Sequence, residues 1–344
     1  MQPRRMLLSL LAGLLGLVLA EVSFRVFAPR LGDVDRSRLT DLRAFVRTGR
    51  SPLYEPRAHT VFVRNRERED TNSLGFRGAE WEREKTPGVP RVALLGGSTT
   101  ESIDPVFLAG AIERRAGRPF EVLNAGMSGW TTAESLVNWF LIVQDYAPDV
   151  VVLHHAINDV PPRFRRGHRP DYSHYRRPWA PPDVNALECQ LVRWSDLYAW
   201  IVLERGLPTT VQELTTWPVT DSTELPGSPL PYAEGVETYR RNLVTIGRHA
   251  RSLGAAVVLM TMPSRPDDLR DYDTLMRRGL DEHNAVLREL AATEGWTLFD
   301  LATAFAEVEG SAEWFTDLVH LTDPGRERKA EMLAEVLAGD RRAD

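Results

Sequence analysis

The chain has 344 residues, 43% hydrophobic and 26% charged, an ordinary globular composition that is somewhat long for one compact domain. A formal net charge of -6 gives no electrostatic basis for nucleic-acid binding. The single cysteine, Cys189, excludes an intramolecular disulfide and a Cys-rich zinc site but not export.

Arg4 and Arg5 precede an uncharged apolar run from Met6 to Ala20, and Glu21, Arg25 and Arg30 follow. A basic start before an apolar run is the pattern of an export signal. Val18 and Ala20 suit a signal-peptidase site. The run is short for a spanning helix, and lengthens if Glu21 and Arg25 snorkel and Val22 to Phe27 extend it. An uncleaved membrane anchor over residues 1–30 is the expectation. A cleaved signal followed by secretion and a soluble core helix are the alternatives. The basic flank predicts a cytoplasmic N-terminus with the rest of the chain outside, periplasmic or extracellular.

Residues 31–90 are polar, charged and interrupted by proline, and read as a lead-in segment packed on the main domain. Residues 54–56 and 61–63 suggest short strands. Asn72-Ser73-Leu74-Gly75-Phe76-Arg77-Gly78 reads as a turn that lays Leu74 and Phe76 on that domain.

From Arg91 strands and helices alternate. Residues 91–95 form strand one, 103–116 a helix, and 120–123 strand two. A helix over 131–146 follows, with Thr131 or Thr132 as its cap. Residues 150–153, a β-branched run, suit the centre of a sheet. Residues 160–231 break the pattern with prolines, arginines and aromatics and one helical piece near 191–203. A loop of this length inside a domain is commonly a lid or binding element, and it is expected to cover the substrate rim. Trp179, Trp194 and Trp217 within it are read as local packing. Alternation resumes with helices at 232–252, 269–294 and 324–337 and strands at 256–260 and 296–299.

Such alternation predicts a three-layer α/β/α sandwich on a central five-stranded parallel sheet, within a domain spanning residues 91–340. Ligands of these sheets bind beyond the carboxyl ends of the strands. Ser98, Gly129 and Asn158 follow strands one, two and three, so the topology brings them to one rim.

A serine nucleophile needs a base and a group that orients it. Asp317 and His320, three positions apart, can share one turn, with the carboxylate on Nδ1–H and Nε2 toward Ser98. The Ser98 and Gly129 backbone N–H groups and the Asn158 amide are candidate oxyanion donors. Rival motifs fail. No Gly-Lys-Ser/Thr follows Gly96, as a P-loop requires. Thr100 stands where the Gly-x-Ser-x-Gly elbow needs glycine. The adjacent His154 and His155 have no metal-ligand spacing and read as core or rim histidines.

In these four segments the chain resembles the SGNH, or GDSL-type, hydrolase superfamily, over about residues 91–338. Gly96-Gly97-Ser98-Thr99-Thr100 corresponds to the first block. Gly129 corresponds to the second block's glycine, Asn158 in His155-Ala156-Ile157-Asn158-Asp159 to the third block's asparagine, and Asp317 with His320 to the last. The stretch 72–77 and the N-terminal apolar segment look like a membrane-anchored branch. Gly97 replaces the usual aspartate, and Ala156 stands where many members have glycine. The resemblance implies a flavodoxin-like SGNH fold and a serine esterase. Ser98, Asp317 and His320 would be catalytic, Ser98, Gly129 and Asn158 would form the oxyanion hole, and no cofactor would be needed. Thr99, Asp159 and Arg163 are candidate substrate contacts. The expected partner is a small ester or an acylated carbohydrate or lipid. An O-acyltransferase with the same residues and a non-catalytic envelope binding module are the alternatives.

Overall fold

Five short strands, the three central ones rich in Val, Ala and Leu and buried throughout, build the centre of the molecule. The computed structural model describes residues 3–27, 39–40, 42–43, 46–47, 53–165, 167–176, 187–205, 234–266 and 271–339. Two short strands, β1 (Tyr54–Arg57) and β2 (Val61–Arg64), form a two-stranded sheet. The main sheet comprises β3 (Arg91–Gly96), β4 (Glu121–Asn124), β5 (Val150–His154), β6 (Ala256–Met260) and β7 (Thr297–Phe299), in the order β4-β3-β5-β6-β7. Every pairing is parallel. β3, β5 and β6 are buried at every position, which explains why their sequences show no polar alternation.

Successive side chains leave opposite faces of the sheet. On one face Val92, Leu94, Val150, Val152, Val258 and Met260 join Leu108 and Ile112 of the helix Pro105–Ala116, and Leu333 and Leu337 of the helix Asp323–Gly339. On the other lie the helices Thr132–Leu141, Glu234–Ser252 and Asp271–Glu294. The three-layer sandwich read from the sequence is therefore present. Its helix ends carry ordinary signals. Asp104 caps Pro105–Ala116 by accepting from the Val106 and Phe107 N–H groups, and Gly117 closes it at φ 69°. The helix expected over 131–146 breaks after Leu141, and a 3-10 turn, Val143–Tyr146, completes it.

The chain divides into two compact units, Met1–Glu55 with Pro178–Pro218, and Pro56–Arg177 with Val219–Asp344. The second holds the sheet. Part of the lead-in belongs to it: Phe76 is fully buried, stacks on Trp81 at 5.0 Å and meets Trp130 edge-on at 6.1 Å. The Asn72 side chain shapes this turn, its Oδ1 accepting from the Leu74 and Phe76 N–H groups. The first unit draws on the insertion. Cys189 and Val192 of the helix Leu187–Trp194, and Ala199 and Val202 of the helix Asp196–Arg205, pack with Leu42 and Val46. The region expected as one insertion is thus divided, because the apolar face of 187–202 is used to build a second small core. Trp179 and Trp217 lie outside the described residues.

Pro3–Phe27 forms one helix. Among the described residues no helix is long and apolar enough to cross a membrane. The charge-free stretch Met6–Ala20 would rise only about 22 Å, short of a ~30 Å hydrocarbon core. The charges that end it are engaged inside the unit. Glu21 accepts from Ser195 Oγ and from the Asp196 and Leu197 N–H groups, capping the helix Asp196–Arg205, and Arg25 pairs with Glu21.

Candidate active site

Strand order decides where the loops meet. β3 lies between β4 and β5, so the segments leaving these three carboxyl ends converge at the point where the order reverses. Leu95 and Gly96 pair with Leu153 and His154, which puts the starts of the Ser98 and Asn158 loops side by side.

Ser98 opens a one-turn helix, Ser98–Glu101, directly after β3. Its Oγ lies 2.7 Å from His320 Nε2, and His320 Nδ1 lies 2.7 Å from Asp317 Oδ2. A carboxylate only accepts, so the proton between Asp317 and His320 sits on Nδ1. In the Nδ1–H tautomer Nε2 is the acceptor for the Ser98 hydroxyl. The loop holding the pair is closed at its base by the bridge Phe315↔Leu321 and by the Thr316 N–H donating to the His320 carbonyl at 2.8 Å. Phe315 and Leu321 are buried in the core below it. Asp317 Oδ1 also accepts from the Val319 and His320 N–H groups. Partial burial pushes the Asp317 carboxyl up, but the His320 ring and these two N–H groups outweigh it and hold it well below the usual carboxylate range.

Gly129 sits in the loop after β4 at φ 70°, a left-handed conformation that favours glycine. Neither its N–H nor that of Ser98 has an acceptor among the described residues. Asn158 Nδ2 donates to the Trp130 carbonyl at 2.9 Å, which leaves its second N–H available. Ser98, His320 and Asp317 are therefore joined in one chain of hydrogen bonds, and Asn158 is tied to the loop that carries Gly129.

The three candidate substrate contacts are placed otherwise. Thr99 is 5% exposed, because one helical step from Ser98 turns its side chain into the protein, where Oγ1 finds no partner. Asp159 is fully buried, accepting from the Thr132 N–H and Oγ1 and from Tyr172 Oη. Burial pushes its carboxyl up to about 7, against the pull of those donors. Arg163 is 1% exposed and pairs with Glu282. All three side chains are buried.

His154 and His155 are both buried, the first beside Thr100 Oγ1 and the second bonded to Ser135 Oγ through Nε2. Burial lowers His155 to about 4, so it is a neutral core imidazole. Among the described residues no group of His, Cys, Asp or Glu is arranged to hold a metal ion.

Sequence reasoning missed the polar groups behind the site. Glu101 accepts from the Ser128 N–H at 2.6 Å and from Ser128 Oγ, and pairs with Arg64 of β2. Lys329 donates to the Thr99 carbonyl from within the core. A signal existed only for Glu134, as the fourth member of Thr131-Thr132-Ala133-Glu134, and the structure shows that capping box formed.

A doubly wound parallel sheet with a serine, a histidine and an aspartate in hydrogen-bonded sequence at its carboxyl rim defines a class, the α/β/α serine hydrolases acting on esters. Residues 94–328 match the GDSL-like lipase/acylhydrolase family, and the chain belongs to that family. Similar solved structures include a lipase/acylhydrolase from Enterococcus faecalis, 20% identical, covering 73% of this chain and 96% of its own, with a TM-score of 0.45. An acetylxylan esterase from Geobacillus stearothermophilus is 15% identical, covering 74% and 95%, with a TM-score of 0.44. No curated protein matches the chain.

Proposed function

We propose that the chain is an exported esterase that uses Ser98, His320 and Asp317 as its catalytic residues and cleaves a small ester, such as an O-acetyl group on a carbohydrate. The observation that carries the reading is the continuous chain Ser98 Oγ, His320 Nε2, His320 Nδ1, Asp317 Oδ2, each link 2.7 Å. Ser98 Oγ attacks the ester carbonyl while His320 Nε2 takes its proton. The Ser98 N–H, the Gly129 N–H and the free N–H of Asn158 stabilise the tetrahedral oxyanion. The imidazolium, held by Asp317, then protonates the leaving alcohol as the oxyanion collapses to a carbonyl and the ester C–O bond breaks, which leaves Ser98 acylated. Water attacks the acyl-enzyme with His320 again as base, which restores Ser98 and releases the acid.

Export rests on Arg4, Arg5 and the run Met6–Ala20. In the helix Leu8, Leu11, Leu14, Leu15, Leu17, Val18 and Leu19 are exposed, an apolar surface suited to a membrane. Protease accessibility and carbonate extraction in intact cells test this, and a full-length protein free in the cytosol would refute it.

The catalytic reading is tested with Ser98→Ala on a panel of activated esters varying in acyl length and alcohol, together with fluorophosphonate trapping. Turnover and trapping are both expected to vanish in a folded Ser98→Ala protein. Wild-type turnover by that protein would show the serine mechanism to be wrong.

A further inference from the structure

Arg176 lies where the sandwich unit ends its first chain segment, and its side chain is 8% exposed. Its Nε donates to Glu134 Oε1 at 2.6 Å, and its Nη2 donates to Glu134 Oε2 and to the Gly129 carbonyl, both at 2.8 Å. Glu134, also buried, accepts from the Thr131 N–H and Oγ1. Burial pushes the Glu134 carboxyl up, and the Arg176 charge with these hydrogen bonds more than offsets that, so the pair stays ionised.

On the other side of Gly129 a second buried carboxylate does the corresponding work. Glu101, paired with Arg64, takes the Ser128 N–H. The peptide before Ser128–Gly129 and the peptide after it are each tied to a buried charged side chain. The peptide between them, whose N–H belongs to Gly129, has no acceptor among the described residues. Glycine at φ 70° leaves this loop with little stiffness of its own. Besides the turn bond from the Trp130 N–H to the Met127 carbonyl at 3.1 Å, these ties set its orientation. Buried ion pairs give little net stability compared with apolar packing. A guanidinium fork does supply N–H groups in fixed directions, which an ammonium cannot.

We infer that Arg176 is a positioning residue that holds the Gly129 carbonyl and so aims the Gly129 N–H at the oxyanion of the reaction proposed above. It touches no reacting atom and acts through Gly129. This rests on the Ser98 reading.

The test uses the full chain with an activated short-chain ester. Arg176→Met is expected to lower kcat by about 10- to 100-fold, the scale of a misplaced catalytic group, with KM within about twofold and slower fluorophosphonate trapping of Ser98. Because that change strands Glu134, two further variants separate positioning from folding. Arg176→Met with Glu134→Gln removes both charges and keeps an acceptor for the capping box. Its melting midpoint should recover while kcat stays low. Arg176→Lys keeps the charge but loses the fork, and should hold the midpoint near wild type with kcat still reduced. Recovery of kcat in step with the midpoint, or a kcat within twofold of wild type in any folded single variant, overturns the inference. Ser98→Ala, run alongside, distinguishes that failure: inactive Ser98→Ala with fully active Arg176 variants sinks this inference alone, and active Ser98→Ala sinks the serine reading with it.

Discussion

Gly97 and Asn158 occupy one space: a Cβ added to Gly97 would overlap Asn158 Nδ2. The glycine that departs from the usual Gly-Asp-Ser pattern is therefore matched to the position of the Asn158 amide. Gly97→Ala and Gly97→Asp are expected to push Asn158 aside and lower kcat by about 10-fold or more, with a smaller change in KM. Steady-state kinetics on one activated ester would check this, and unchanged kcat in both variants would show that Asn158 moves without consequence.

The structural role of Asn158 and its proposed oxyanion role are separated by one substitution. One N–H serves the Trp130 carbonyl, and the other has no acceptor among the described residues and is the proposed oxyanion donor. Asn158→Ala should cost about 1 kcal/mol of stability for the lost hydrogen bond and roughly 10²–10³ in kcat for the lost donor. Asn158→Asp should be at least as inactive, since a carboxylate would face the developing negative charge. Urea unfolding and kinetics on the same preparations decide the matter. Loss of stability with full kcat would leave stabilisation to the Ser98 and Gly129 N–H groups alone.

Lys329 makes stability depend on pH. It is 1% exposed, and burial pulls its ammonium down from 10.5 to about 7. Between those values the folded state binds fewer protons than the unfolded chain, so stability from this group rises with pH across the window. Below about pH 7 the folded protein must carry a buried cation. Lys329→Met removes that cost, and the Thr99 carbonyl keeps Ser102 Oγ as donor at 2.9 Å. The melting midpoint should therefore rise more at pH 6 than at pH 9. Equal gains at both would argue that Lys329 is not the group responsible.

The part of the lead-in segment from Pro56 onward belongs to the unit that holds the sheet. Phe76 is fully buried between Trp81 and Trp130, and Trp130 Nε1 donates to the Phe62 carbonyl at 3.1 Å. Phe76→Ala should cost about 3–5 kcal/mol, the range for removing a large buried ring. Chemical denaturation with intrinsic tryptophan fluorescence measures it. A loss below about 1 kcal/mol would mean that this segment is only loosely attached.

The elements of the sandwich were legible in the chain alone. Buried parallel strands are short apolar runs, and the helices between them carry an apolar face; both are local patterns. The places of Ser98, Gly129 and Asn158 just past their strands, and of Asp317 beside His320, were legible too, because each is set by neighbours in sequence. What no local pattern carried was the fate of charge in the interior. Thr99, Asp159 and Arg163 stood as candidate substrate contacts from their places beside the sequence blocks, although Asp159 also read as a loop organiser, and only the packing of neighbouring elements shows them buried. Arg176 is 47 positions from Gly129, and Glu101 is 27 positions from Ser128. Such pairs meet because β3, β4 and the helix Thr132–Leu141 are brought together by the sheet order. Likewise the apolar face of 187–202 reads only as a helix until Leu42 and Val46 are seen against it. Periodicity is written in neighbours along the chain, whereas compensation of a buried charge depends on neighbours in space, which the tertiary structure alone supplies.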